Sequence, residues 1–145
     1  MLKRSIKLAV FGLALLIFTL SLAISTPAYA GTITLYEGNG GQQDTLGSYS
    51  DRPDYAGRVS PNDEARSLKL SEVAPFTIIR VYDSPDAALD DDYTTIKVKQ
   101  KTPKDLVVGT FENSFENEYV KVEHSHDNGL DGKVSSIQIQ GFDFQ

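Results

Sequence analysis

From Thr32 onward the chain shows no stretch with the apolar period of an amphipathic helix; it alternates instead, in short segments bounded by Gly, Pro, Asn and Asp. Thr32 to Glu37 sets Ile33 and Leu35 on one face, and Phe76 to Tyr82 does the same with Ile79 and Val81. In Tyr93 to Lys99, Ile96 and Val98 alternate with Lys97 and Lys99. Leu106 to Phe111, Glu118 to Glu123 and Ser135 to Gln140 follow the same rule, and Gln42 to Tyr49 and Arg66 to Leu70 bring the total to about eight strands. A strand with one apolar face must bury it against a second layer. This many short strands therefore predict an all-β sandwich, a class that commonly uses Greek-key connections.

The first thirty residues read differently. Lys3, Arg4 and Lys7 precede an apolar run from Leu8 to Ile24, which ends in the small residues Ala28-Tyr29-Ala30. That order predicts an export signal over residues 1–30, cleaved so that Gly31 becomes the N-terminus. The apolar run of 17 residues is short for a membrane span. The expected location is secreted or periplasmic, with no membrane segment after cleavage.

Cleavage removes three basic residues from 14 and none of the 20 acidic ones, leaving a formal charge of −9 over 115 residues. That balance disfavours nucleic acid and anionic membranes and favours cations or basic partners. A chain of this length supports one domain and one core, over residues 31–145. It contains no cysteine, so no disulfide staples it and a bound ion is one physical substitute.

A repeat recurs along the chain. Shifted by 41 residues, Leu89-Asp90-Asp91-Asp92-Tyr93-Thr94-Thr95-Ile96 lies over Leu130-Asp131-Gly132-Lys133-Val134-Ser135-Ser136-Ile137, and Asn62-Asp63-Glu64-Ala65-Arg66-Ser67-Leu68 is a third copy. Each is an acidic turn running into a strand. Such turns offer carboxylate, amide, hydroxyl and carbonyl oxygens, the donors calcium takes; the same residues also cap turns without any ion.

These turn-into-strand stretches, with the strand ends Tyr36-Glu37 and Tyr82-Asp83, resemble the microbial βγ-crystallin family from Thr32 to Gln140. The resemblance implies two Greek keys, about 32–70 and about 76–140, with Leu106 to Glu123 as extra length. The family motif is two Asn or Asp residues, two variable ones, Ser or Thr, then Ser, here Asn62 to Ser67 and Asp131 to Ser136. It implies calcium held by a second-position carboxylate and a fifth-position hydroxyl from opposite motifs, a third-position carbonyl and a group after an opening strand. One ligand set is then Asp63 with Ser135, the Glu64 carbonyl and a group near Glu37, with Asn62 and Asp131 opening the two motifs. The other set is spoiled, since Gly132 replaces its carboxylate and Arg66 its hydroxyl.

A further acidic stretch, Asp90, Asp91 and Asp92 followed by Thr94 and Thr95, fits the motif's residue classes except for Thr95 at the last position, and stands as an added ion site or a solvated turn. His124 and His126, two apart, could share one side of a strand and hold zinc or copper, but no third ligand accompanies them. The duplicated Phe111-Glu112-Asn113 and Phe115-Glu116-Asn117 read as core and edge packing. No cysteine nucleophile, nucleophile elbow, phosphate loop or metalloprotease motif occurs; the many carboxylates leave a glycosidase-like pair open by composition, but nothing marks a particular pair, so the chain is expected not to be an enzyme. It is separately expected to be monomeric. Two other functions remain open. One is a proteinase inhibitor or toxin presenting Ser50 to Pro61 as an exposed rigid loop, and the other is a carbohydrate or adhesion module using Tyr36, Tyr49 and Tyr55.

Overall fold

The computed structural model of the protein describes residues 29–125 and 128–141. Residues 1–28 of the expected export signal over 1–30, and His126, lie outside these described residues. Among them are ten strands and no helix. In chain order the strands are β1 (Thr32–Gly38), β2 (Gln42–Ser50), β3 (Tyr55–Arg58), β4 (Ser67–Ser71) and β5 (Thr77–Tyr82). They continue with β6 (Tyr93–Val98), β7 (Leu106–Val108), β8 (Phe115–Glu116), β9 (Val120–Ser125) and β10 (Ser136–Gly141).

Two antiparallel sheets result, one ordered β2-β1-β4-β7 and the other β3-β10-β5-β6-β9-β8. Their inward faces are the alternating residues read from the sequence. Ile33 and Leu35 of β1 pair with Leu70 and Leu68 of β4, and Ile79 and Val81 of β5 pair with Ile139 and Ile137 of β10. All eight are fully buried in one core, with Ile96 and Val98 of β6 beside them. Each such side chain contributes roughly 1.5–3 kcal/mol by leaving water. A one-residue slip would turn a whole set outward, so the apolar pattern fixes the register.

Each half of the chain lends a strand to the opposite sheet. β3 leaves β1, β2 and β4 to pair with β10, and β7 leaves β5, β6 and β10 to pair with β4. Leu106 to Val108 is thus the second crossing strand, and the added length reduces to the β8–β9 hairpin on β6. Ser50 to Pro61 is not a free loop. Asp51 is buried, Val59 joins the core, and Tyr55–Arg58 forms the edge of the six-stranded sheet. Phe111 is buried in the core, and Phe115 lies on the edge strand β8 and is partly exposed.

The β1–β2 turn, Asn39-Gly40-Gly41, has two consecutive residues at φ 70° and 68°. Only glycine adopts that pair of left-handed conformations without penalty, so the dipeptide is required for so tight a return.

Candidate functional site

The two acidic turns that lead into β4 and β10 are tied to each other by matching backbone bonds. The Asp63 N–H donates to the Val134 carbonyl at 3.2 Å, and the Gly132 N–H donates to the Ala65 carbonyl at 2.9 Å. At both second positions the chain is left-handed, with φ 62° at Asp63 and 79° at Gly132. Asp is among the few side-chain-bearing residues that tolerate this region, and glycine is free in it.

The match continues into the strands. The Arg66 N–H donates to the Tyr36 carbonyl at 2.9 Å, and the Ser135 N–H donates to the Tyr82 carbonyl at 2.8 Å. Ser67 Oγ donates to the Gly38 carbonyl at 2.5 Å, and Ser136 Oγ to the Ser84 carbonyl at 2.7 Å. One set of bonds therefore serves both halves, with the Asn62 and Asp131 turns as equivalents. The Asp90 turn does not take part in it.

Asp63 and Ser135 meet across the halves: Ser135 Oγ donates to Asp63 Oδ1 at 3.1 Å. Asp63 is exposed and Ser135 is buried, so the pair lies at the surface with the hydroxyl as its floor. The bonding pattern brings the end of β5 to this pair, because Tyr82 receives the Ser135 N–H. The residue that follows is Asp83, whereas Glu37 follows Tyr36 and belongs with Arg66. Asp83 is an acidic neighbour of this pair that the sequence reading did not name among the candidate ligands. Its signal was present in the matching Tyr82-Asp83 and Tyr36-Glu37 strand ends, but which end meets which turn depends on strand order.

The electrostatics agree. The Asp83 carboxyl is pushed above its ordinary value of 3.8, by partial burial first and then by Asp91, with Asp63 and Asp92 adding and Lys133 opposing. Several carboxylates thus face one another here, an arrangement that a cation relieves. Two oxygens 3.1 Å apart, each about 2.4 Å from a common ion, subtend about 80° at it, a normal angle in a calcium shell. Among the described residues no group of three or more His, Cys, Asp or Glu side chains gathers in metal-ligating geometry. An ion would have to draw on hydroxyl and carbonyl oxygens too, and the exposed Glu64 is the residue beside Asp63 that could offer its carbonyl.

At the equivalent place in the other half, a Cβ built on Gly132 would lie 2.8 Å from Arg66 Nη2 and 3.0 Å from its Cζ. The missing carboxylate and the intruding cation therefore occupy one spot, and a divalent ion there would face an uncompensated positive charge.

The remaining expected ligands have other partners or stand apart. Asp131 Oδ2 accepts from Asn39 Nδ2 at 2.8 Å and Thr110 Oγ1 at 2.7 Å, and its Oδ1 accepts the Phe111 N–H at 2.8 Å. Its carboxylate is a latch between three loops. Glu112 Oε1 complements it by accepting the Leu130 and Asp131 N–H groups at 3.1 and 3.0 Å. Asn62 and Asp90 are exposed. Asp91 Oδ1 accepts the N–H of the buried Asp92, which in turn accepts from the Asn128 N–H. Thr94 is buried away from them: its hydroxyl donates to the Phe111 carbonyl at 2.5 Å and lies 2.8 Å from His124 Nδ1. Asp90, Asp91 and Thr94 thus do not converge.

A second feature is an open cavity of about 730 Å³ whose lining includes Tyr49, Tyr55, Arg52, Pro53 and Asp54. The Tyr49 and Tyr55 rings are 5.3 Å apart, and Tyr55 is 40 % exposed. Burial, then Tyr55, raises the Tyr49 hydroxyl above its usual value, so it stays a neutral donor. Tyr36 is apart from them, with Lys69 Nζ 4.9 Å from its ring centroid. Tyr29 also lines the cavity but precedes the expected cleavage point, so it belongs only to the uncleaved chain.

No family model matches the chain, and neither a curated protein nor a solved structure matches it.

Proposed function

We propose that the protein is an exported, monomeric, non-catalytic member of the βγ-crystallin kind, a double Greek key in which one calcium ion stabilises the fold. Its ligands are Asp63, Ser135, the Glu64 carbonyl and Asp83. The observation that carries this reading is the Asp63–Ser135 contact at 3.1 Å, made by residues 72 apart in the chain and supplied by opposite turns. The reciprocal crossing of β3 and β7 and the matching bonds of the two turns support it. Lack of cysteine supplies the need, since an ion bound only by the folded state adds to its stability. Calorimetric titration of the chain from Gly31 with calcium tests it: one ion per chain is expected, and absence of a calcium-specific isotherm overturns the reading.

A carbohydrate-binding role is the second reading, favoured by the Tyr49–Tyr55 cavity with Arg52 and Asp54 at its wall. Sugars stack on exposed aromatic faces and bond to neighbouring polar groups. Tyrosine fluorescence in the presence of oligosaccharides tests it, with Tyr55→Ala as the control; an unchanged signal removes it. The inhibitor reading has no comparable support, because its segment is built into a sheet edge.

A further inference from the structure

Asp51 is 1 % exposed, directly after β2, and its carboxylate has two hydrogen-bond partners, both backbone. Its Oδ1 accepts the Gly31 N–H at 3.1 Å and its Oδ2 accepts the Ala74 N–H at 2.9 Å. Its own N–H donates to the Gly31 carbonyl at 3.1 Å, which continues the β1–β2 ladder by one pair. Among the described residues no Lys, Arg or His makes an ion pair with it. A buried carboxylate with only neutral partners is costly, and one of its two oxygens is bound to the residue that follows the expected cleavage point.

The surroundings of Gly31 are built for that residue. Gly31 is buried whereas Tyr29 and Ala30 are exposed. A Cβ at position 31 would lie 2.5 Å from Asp51 Oδ2 and 2.5 Å from the Val73 Cα, and the latter is backbone that cannot swing aside. Any side chain there would push the nitrogen off the carboxylate.

We propose that Asp51 is a receptor for the N-terminus made by processing: the α-ammonium of Gly31 docks on its buried carboxylate and locks the first strand. This rests on the reading that residues 1–30 are cleaved off. In that step water hydrolyses the Ala30–Gly31 peptide bond, Ala30 departs with the new carboxylate, and the Gly31 amine takes up a proton to become an ammonium. One of its three N–H groups keeps the place of the amide hydrogen on Oδ1. The other two point into the space that exposed Ala30 vacates, where water receives them. A neutral amide bond thus becomes a charge-assisted one, and the buried carboxylate gains its missing counter-charge. Cleavage would therefore tighten the protein rather than merely trim it.

All ten strands lie beyond Gly31, so the chain beginning there keeps the whole folded body. The test compares it, released from a fusion with no extra residue, with the same chain acetylated on the Gly31 nitrogen and with a chain beginning at Ala30. The free Gly31 chain should have an unfolding constant lower by roughly fivefold to tenfold than either, the difference between charged and neutral hydrogen bonds. In Asp51→Asn that advantage should disappear. Titration of the amine by nuclear magnetic resonance gives an independent readout, since docking raises it above the usual range of about 7.7–8.0. Equal unfolding constants and an amine titrating in that range overturn the docking. Mass spectrometry of the exported protein examines cleavage separately, and a start other than Gly31 removes that reading and the proposal with it.

Discussion

The Arg66 guanidinium lies against Gly132, its Nη2 2.8 Å from where a Cβ on that residue would stand. Asp63 and Ser135 are the corresponding pair on the other side, 3.1 Å apart. The two places differ in charge, not in backbone. Gly132→Asp alone should set a carboxylate beside Arg66 and bind no further calcium, at a cost of about 1 kcal/mol for a side chain at φ 79°. Combined with Arg66→Ser it should raise the calcium stoichiometry by one in a calorimetric titration. An unchanged stoichiometry in the double variant would show that the equivalent bonds do not make equivalent sites.

Asp63→Ala should abolish the calcium-dependent part of the stability and leave the ion-free protein folded, since Asp63 is exposed and its carboxylate packs against no core. At calcium ten to a hundredfold above the dissociation constant the wild type gains roughly 1.4–2.7 kcal/mol, which is several degrees in Tm. Thermal melts with calcium and with chelator measure this directly. Wild type and variant melting alike in both conditions would count against the calcium reading.

Asp131→Ala should destabilise the protein by about 2–4 kcal/mol whether or not calcium is present, because it removes three hydrogen bonds to one carboxylate and strands the Phe111 N–H. Urea denaturation checks it. A loss confined to the calcium-loaded state would make Asp131 an ion ligand instead of a latch.

Asp83 and Glu123 should act on stability with opposite signs as pH changes. The Asp83 carboxyl is raised in the fold, so its contribution is fully present below its ordinary 3.8 and is lost as pH rises through the folded value. Glu123 is held down to about 2, by Lys121 first and then Lys97, so its contribution is present above 4.5 and lost as pH falls towards 2. Asp83→Asn should therefore stabilise the chelated protein at pH 7, by about 0.5 kcal/mol given its exposure, and should weaken the calcium effect. Urea midpoints measured in chelator from pH 7 down to pH 3 should show the gap closing. A destabilised variant at pH 7 would mean that Asp83 is held by attraction rather than repulsion.

Most strands were legible in the sequence because alternation is a local signal. Ile33 and Leu35, Ile79 and Val81, and Ile137 and Ile139 each announce one buried face, and β1, β5 and β10 begin and end within a residue or so of the expected limits. β3 was not legible. Its four residues are exposed or half-buried at a sheet edge, so no apolar alternation marks them, and β8 has only two residues. The likeness of the Asn62 and Asp131 turns could be read from the repeat, whereas the pairing of Arg66 with Gly132 came only as what the family resemblance implies.

What the sequence determined by itself was the all-β class, the turns and the identity of the residues able to bind an ion or cap a turn. Only the tertiary structure decided who meets whom. Ser135 is bonded to Tyr82, which precedes Asp83, and not to Tyr36, which precedes Glu37, because β5, not β1, runs beside β10. Asp51 reaches Gly31 because β2 returns along β1. Asp131 is spent on Asn39, Thr110 and Phe111 because the crossing of β7 brings those loops together. The alternation of a strand reports which face it buries, and nothing in its own residues names its neighbour. That choice belongs to the sheet order, set by the one arrangement that buries all the apolar faces together.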